Sequence, residues 1–533
     1  MESWTIGRLL QTAAGYLKDK GSPSARLDAE LLLADTLHLE RIDLYTQHDR
    51  PLTPQEVASY RALVARRANR EPVAYIRGRA YFRHLCLEVR PGVLIPRPET
   101  EELVDLALAT LRRRPPWGDL PDRLIPPEIP VIADVGTGSG AIALSLAQEA
   151  GVRVLAVDDS PAALAVAGEN ARSLGLDGRV VLRQGDLLAG IPESQLEMVV
   201  SNPPYVRSGD IPSLAPDIRL YEPVAALDGG PDGLDVYRRL VPEAARALRP
   251  GGTLLLEVGE SQAGAISDLA VAAGFVLVSV HKDLSRKERM VEATLPGAPA
   301  LAPEDLGEVE AWALRVALDA GAVIGMPTDT IYGLAARWDL AAGIRRLFAA
   351  KQRSPEQPVA VLFASVDAVK AALPDLDPAT ARVLAALLPG PYTFVVATSV
   401  ARPDRVGTPD SLGVRIPDHA DLLRLLATID VPLAATSANV TGLPDAATAA
   451  QVDPVVLAHC SLAVVPGAGS AGVAGIASTV VDLRPLAGGA EPVVLREGAV
   501  SRDEMLGRIR ACASRASGIL GSAFLEEEAK PID

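Results

Sequence analysis

Asn202, Pro203, Pro204 and Tyr205 follow one another at the end of an apolar run, and their types fit a defined piece of chemistry. An amide nitrogen is a poor nucleophile because its lone pair is delocalised into the carbonyl. A catalyst helps by offering two acceptors to the NH2 hydrogens, which holds the nitrogen and favours charge on it as a group arrives. The side-chain oxygen of Asn202 and the backbone carbonyl of Pro203 suit that role, the prolines stiffen the turn, and Tyr205 can stack on a planar acceptor. A rigid proline turn with no chemistry would use the same residues, so what lies upstream decides between the readings.

Upstream, VIADV runs into GTGSG (Gly136, Thr137, Gly138, Ser139, Gly140), after which AIALSLA begins a helix. A glycine-rich turn after a first parallel strand lets backbone approach a ligand beside a helix N-terminus. Nucleotide sites and plain tight turns share that feature. The next strand ends at Asp158, placed to accept from ribose hydroxyls, with Asp159 as the alternative ligand. The third strand ends in GDLL, whose Asp186 either reaches an adenine amino group or serves as a cap or turn residue. Held beside such a site, the Asn202 turn would present a bound amide nitrogen to the methyl carbon of a sulfonium donor, and orientation would supply much of the rate.

A second group of polar residues lies beyond residue 320. AVIGMPTDTIYGLAA (322–336) reads as strand, polar turn, then helix, with Thr328, Asp329, Thr330 and Tyr332 on the turn. Lys351 and Arg353 are two cations near a helix end, where a solvated C-terminus would favour them without any site. Ser437 and Asn439 follow another buried strand, and IASTVVD (476–482) and VVLREGA (493–499) bring polar groups to strand ends.

The elements that position these residues follow from periodicity. Ile6, Leu9, Leu10, Ala13 and Leu17 share a helical face closed by Gly21; Leu27, Leu31 and Ala34 form the expected face of a second helix capped by Ser24; a third runs from Thr53 to about Asn69. From about residue 130, VIADV, VLAVD, VVLRQ, MVVSN and TLLLEV read as buried strands between helices, which predicts a mostly parallel α/β sheet. LPGAPALAPEDLGE (295–308) is the linker candidate, and EEEAKPID the expected disordered tail.

At 533 residues the chain exceeds one core, and roughly 150 residues per domain suggests three or four units. The net charge of -15 disfavours a phosphate-gripping nucleic-acid binder. Cys86, Cys460 and Cys512 form no C-x-x-C pair, which argues against disulfides and thiolate zinc. MESWTIGRLLQ lacks the pattern of a secretion signal, and no apolar run approaches membrane length, so a cytoplasmic enzyme is expected.

Residues 1–296 resemble the glutamine N5-methyltransferases that act on peptide-chain release factors. DAELLLADTL (28–37), EPVAYIRGRAYF (71–82), VLIPRPETEELV (93–104), VGTGSGAIAL (135–144), SNPPYV (201–206), DGGPDGLDVYRRL (228–240) and LLLEVGESQ (254–262) carry the match. The resemblance implies a helical substrate-recognition domain over 1–85 and a Rossmann-like methyltransferase domain over 86–296 using S-adenosylmethionine. It implies a release-factor glutamine, in a Gly-Gly-Gln loop, held by Asn202 and Pro203. Gly136, Gly138, Asp158 and Asp186 would line the cofactor site. Arg97 and Glu99 either pair with each other to fix their loop or touch the substrate. Asp159 departs from the apolar residue more usual in the family.

Residues 309–500, after a linker at 297–308, resemble the threonylcarbamoyl-adenylate synthases of tRNA modification, with 501–533 left as a tail. PTDTIYGL (327–334), KQRS (351–354), PGPYTFV (389–395), VRIP (414–417), TSAN (436–439), STVVD (478–482) and LREGA (495–499) carry this match. It implies a second α/β domain that joins L-threonine, bicarbonate and ATP with Mg2+, and transient tRNA-modification partners. Lys351 and Arg353 would stabilise the leaving pyrophosphate, Ser437, Asn439, Ser478 and Arg496 would hold nucleotide or phosphate oxygens, and Thr330 and Tyr332 would shape a threonine pocket. The competing reading is a nucleic-acid adenine N6-methyltransferase carrying a non-catalytic RNA-binding module.

Overall fold

The structure, a computed structural model, describes residues 4–113, 132–298, 300–301, 308–351, 358–439, 445–464 and 475–523. The chain separates into two compact units, the first holding most residues up to Ala293 and the second most of those from Thr294 onward. Arg353 and the EEEAKPID segment lie outside the described residues.

The first unit opens with helices Ile6–Asp19, Ala25–Leu37 and Pro54–Ala68 around their own core of Leu9, Leu10, Leu17, Leu32, Leu33 and Tyr60. Thr53 caps the third of these in a capping box with Glu56, and Pro54 takes the first helical position, where its missing N–H costs nothing. The middle helix is turned from its expected face. Leu27 is exposed and Leu31 half-buried, while Ala29, Leu32, Leu33 and Leu37 join Ala34 inside. Leucines lie on several sides of this helix, and its buried acids decide the rotation. Asp28 accepts from Arg67 at 2.7 Å and from Ser22 and Ser24, and Glu30 accepts from Arg26 and Tyr45. Charges so paired tolerate burial. Ser24 therefore bonds Asp28 and does not cap the helix backbone. A hairpin of Arg79–Phe82 and Leu85–Glu88 follows, across the expected domain boundary at residues 85 and 86.

The sheet of this unit has seven strands, in the order Val180–Gln184, Val154–Asp158, Ile132–Val135, Leu196–Ser201, Leu248–Glu257, Glu288–Thr294 and Leu277–Lys282. The first five pair in parallel, and each of the five expected strands is present. Ile132–Val135 is the first strand in sequence and sits inside the sheet. The strands that follow it go first to one side and then to the other. That reversal opens a crevice at the carboxyl ends of Ile132–Val135 and Leu196–Ser201, where open α/β sheets bind ligands. The glycine loop and the Asn202 turn are the continuations of those two strands.

The second unit holds a mixed ten-stranded sheet whose inner strands include Val323–Met326, Gly333–Arg337, Leu433–Ser437, Ala360–Leu362, Ser411–Arg415, Tyr392–Ala397 and Thr479–Asp482. Gly333–Arg337 corrects the expected helix: it is a strand, antiparallel to Val323–Met326 on one side and to Leu433–Ser437 on the other. Four of its five residues are buried, and a short run buried on both faces has no period with which to distinguish strand from helix. Ala300–Leu301, inside the expected linker, adds a short parallel strand beside Leu462–Val464. The region expected as a tail contains the helix Arg502–Ala523, whose Met505 and Ile509 are buried in the core with Val481, Leu483 and Val494.

Candidate active sites

The crevice of the first sheet is a cavity lined by Val93, Gly136, Gly138, Asp158, Asp159, Asp186, Asn202, Pro204, Asp228 and Arg239, among others. Asp158 accepts from the backbone N–H of Gly138 and of Ser160, each at 2.9 Å, which couples the strand end to the loop. Burial pushes its carboxyl above the usual range, opposed by those two hydrogen bonds. Asp158 and Asp159 both line the cavity, so both ribose candidates stand in place. Asp186 is there too, paired with Arg239.

Two further loop residues, Thr137 and Gly140, support the site from behind. Thr137 is buried and donates to Asp134 at 2.6 Å, and Asp134 also accepts from the Ala143 N–H at 3.1 Å. Gly140 starts the helix Ala141–Glu149 at φ 85°, where a Cβ would come within 2.9 Å of Leu144. Neither is among the described lining residues. Burial raises the Asp134 carboxyl to about 7.

Four of the cavity's lining side chains are carboxylates and one is an arginine. That balance suits a cationic, hydroxyl-bearing ligand and opposes a polyphosphate. A sulfonium nucleoside has both properties. The residues present therefore fit S-adenosylmethionine, with Asp158 or Asp159 for the ribose and Asp186 for the base.

At the mouth, the Asn202 Nδ2 donates to Thr100 Oγ1 at 3.0 Å, and Thr100 donates to Glu257 Oε2 at 2.6 Å. Tyr205 is held from behind by Gln262, whose Nε2 donates to the Tyr205 carbonyl at 3.0 Å and to that of Gly233 at 3.3 Å. Gly233 has φ 79°, and a Cβ there would lie 2.5 Å from the Tyr205 carbonyl, so the DGGPDG loop packs where only glycine fits. Arg97 pairs with Glu222 at 2.6 Å and not with Glu99, one of the two alternatives for these residues; Glu222 also accepts from the Ile95 N–H. The loop is fixed by a carboxylate 125 positions away. Glu257, Glu222 and Gln262 were missed in the sequence. Glu257 left a signal there, as a carboxylate ending the apolar run TLLLE.

In the second unit a cavity of about 470 Å3 is lined by Arg415, Arg484, Arg496, Thr436, Ser437 and Ser478, with Asp445 the one carboxylate among its described lining residues. Arg496 donates to the Ser478 carbonyl at 2.9 Å and to its hydroxyl at 3.3 Å, and Thr393 bonds the same hydroxyl at 2.9 Å. Lys351 ends its helix buried at 4% exposure, its Nζ donating to Ser437 Oγ at 2.8 Å and to Thr436 Oγ1 and Asn439 Oδ1 at 3.2 Å. The solvated-terminus reading of this lysine is thereby excluded. Thr330 accepts from Arg415, an arginine the sequence reading did not single out and which also pairs with Asp329. Tyr332 lies in the core, fully buried, its hydroxyl donating to the Val464 carbonyl at 2.8 Å, and neither Thr330 nor Tyr332 is among the described lining residues. In a chain of net charge -15, this is a concentration of cations suited to anionic oxygens. Among the described residues no group of three or more His, Cys, Asp or Glu side chains could hold a metal ion.

Three family models match the chain. Residues 8–78 match the PrmC N-terminal domain, residues 122–216 the methyltransferase small domain, and residues 316–498 the family described as telomere recombination, named for Sua5, YciO and YrdC. P. abyssi Sua5 complexed with L-threonine is similar at 27% identity, covering 40% of this chain and 60% of that chain with a TM-score of 0.34. The chain thus spans less than two thirds of that protein's length. The release factor glutamine methyltransferase of Geobacter sulfurreducens is 42% identical over 291 residues, 54% of this chain and 96% of that protein. That of Moorella thermoacetica is 46% identical over 271 residues, 51% of this chain and 91% of that protein. With near-complete coverage of these relatives' length, the chain belongs to the release factor glutamine methyltransferase family.

Proposed function

We propose that the first unit methylates the side-chain nitrogen of the Gly-Gly-Gln glutamine in peptide chain release factors. The observation that carries this reading is the Asn202 turn, standing at the edge of an acidic cavity built for a cationic nucleoside. S-adenosylmethionine, when bound there, supplies an electrophilic methyl group on sulfur. Asn202 Oδ1 and the Pro203 carbonyl accept from the substrate's NH2, favouring charge on that nitrogen, and Tyr205 packs against the planar amide. Tyr205 stays un-ionised in this role, since burial pushes its phenol up to about 12.

For the second unit we propose formation of L-threonylcarbamoyl-adenylate from threonine, bicarbonate and ATP. Lys351 and the arginine-lined cavity support it, since negative charge grows on the departing pyrophosphate. Mg2+ would then arrive with the nucleotide. Hand-over to tRNA-modifying partners in the cytoplasm completes the reading; among the described residues no helix is long and apolar enough to cross a membrane.

The first test is incubation of the full chain with S-adenosylmethionine and a release factor, with the methyl located by mass spectrometry. Transfer to the Gly-Gly-Gln glutamine is expected. In Asn202→Ala, kcat should drop by roughly 10²–10³-fold, as when one preorganised hydrogen-bonding group is removed, with cofactor still bound. Transfer to adenine in nucleic acid, with none to protein, would overturn the reading.

A further inference from the structure

A side-chain amide can face either way, and only one orientation of Asn202 serves the proposed reaction, with oxygen towards the substrate's NH2. What fixes that choice lies behind it. Ionised Glu257 only accepts, so the single hydroxyl hydrogen of Thr100 goes to it at 2.6 Å. Thr100 Oγ1 then remains as an acceptor and takes Asn202 Nδ2 at 3.0 Å. With its nitrogen engaged, Asn202 is left with oxygen for a substrate. Thr100 and Glu257 are 4% and 2% exposed, so water does not substitute for either partner. We infer that Thr100 and Glu257 are positioning residues that hold the Asn202 amide in its acceptor orientation, and that protonation of Glu257 releases it. This inference rests on the glutamine-methylation reading.

Protonation reverses the chain of donors. A carboxylic acid at Glu257 donates to Thr100, whose hydrogen is then free to turn to Asn202 Oδ1, and a flipped amide would set NH2 against the NH2 of the substrate. The charged and titratable groups around Glu257 come from every side. They are Glu99 beside Thr100 on the helix Pro98–Arg112, Arg97 just before that helix, Arg289 on the neighbouring strand, Tyr205 of the Asn202 turn, and Tyr237, whose hydroxyl donates to the Glu257 backbone carbonyl at 2.6 Å. Burial outweighs the two arginines and raises the Glu257 carboxyl to about 7. The ionised, acceptor-orienting form therefore fills as pH rises through about 7 and empties below it.

The test compares the full-length protein with Thr100→Val, Thr100→Ser and Glu257→Gln, measuring kcat and KM for the release factor from pH 6 to 9 and cofactor binding by calorimetry. Thr100→Val should lose roughly 10-fold in kcat, about one buried hydrogen bond, with cofactor affinity unchanged. Thr100→Ser should restore it. Glu257→Gln keeps an acceptor for Thr100 but cannot titrate, so the acid limb of the wild-type profile should flatten. Wild-type kcat in Thr100→Val, or an acid limb that persists in Glu257→Gln, overturns the inference. If the wild type methylates no release factor, the reaction reading fails on its own. The orientation is then read from the Asn202 side-chain 15N resonances, assigned by their loss in Asn202→Ala. A shift centred near pH 7 that Glu257→Gln abolishes supports the relay, and no such shift overturns it.

Discussion

A lysine at the last turn of a helix usually gains a little from the helix dipole and keeps its ammonium in water. Lys351 occupies that position and does the opposite, directing its ammonium onto Thr436, Ser437 and Asn439. Thr436 and Ser437 also line the arginine-rich cavity, so the ammonium stands beside a place suited to anionic oxygens, which is the physical case for a polyphosphate here. Lys351→Ala should lower ATP- and threonine-dependent pyrophosphate release roughly 100-fold or more, as for loss of a preorganised charge, and leave methyl transfer unchanged. Pyrophosphate release near the wild-type rate would assign the lysine to structure alone. Lys351 and its serine were legible in the sequence as signature residues; the burial that distinguishes a site from a solvated helix end was not.

Helices and strands were legible to different degrees, for reasons visible in single elements. Pro54–Ala68 announced itself through local chemistry, since Thr53, Pro54 and Glu56 complete the cap within four residues. Thr53→Ala should cost the first unit about 1 kcal/mol. The melting midpoint should fall by roughly 2–4 °C; a shift below half a degree in calorimetry would mean that the core holds this helix end without its cap. The five parallel strands were equally plain, because strands buried on both faces read as continuous apolar runs. The inward face of Ala25–Leu37 and the type of Gly333–Arg337 were misread because tertiary partners decided them. Arg67, 39 residues from Asp28, draws an acid inward on the helix, and strands on both sides claim Gly333–Arg337. The candidate site shows the same division. The glycine loop, Asp158 and the Asn202 turn are contiguous motifs, whereas Thr100 and Glu257 reach Asn202 only through the fold.

Over the whole molecule, the net charge describes neither site. One cavity gathers carboxylates and the other arginines, so each selects a ligand of the opposite sign within the same acidic chain. The lining residues of each cavity belong to one unit, and each unit has a hydrophobic core of its own. The two proposed reactions share no substrate. Substitutions at separate sites without common partners act additively to within about 0.5 kcal/mol, and kinetic losses behave alike where no group is shared. Asn202→Ala should therefore lower methyl transfer by the same roughly 10²–10³-fold while pyrophosphate release stays within roughly twofold of wild type. Lys351→Ala should do the reverse, and the double variant should show each loss unchanged. The measurement is a pair of assays on the four proteins, repeated with the other unit's substrates present. Were saturating ATP and threonine to change kcat or KM for the release factor, or S-adenosylmethionine to change pyrophosphate release, the two sites would be coupled through the chain. Fusion would then carry a regulatory consequence beyond joint expression.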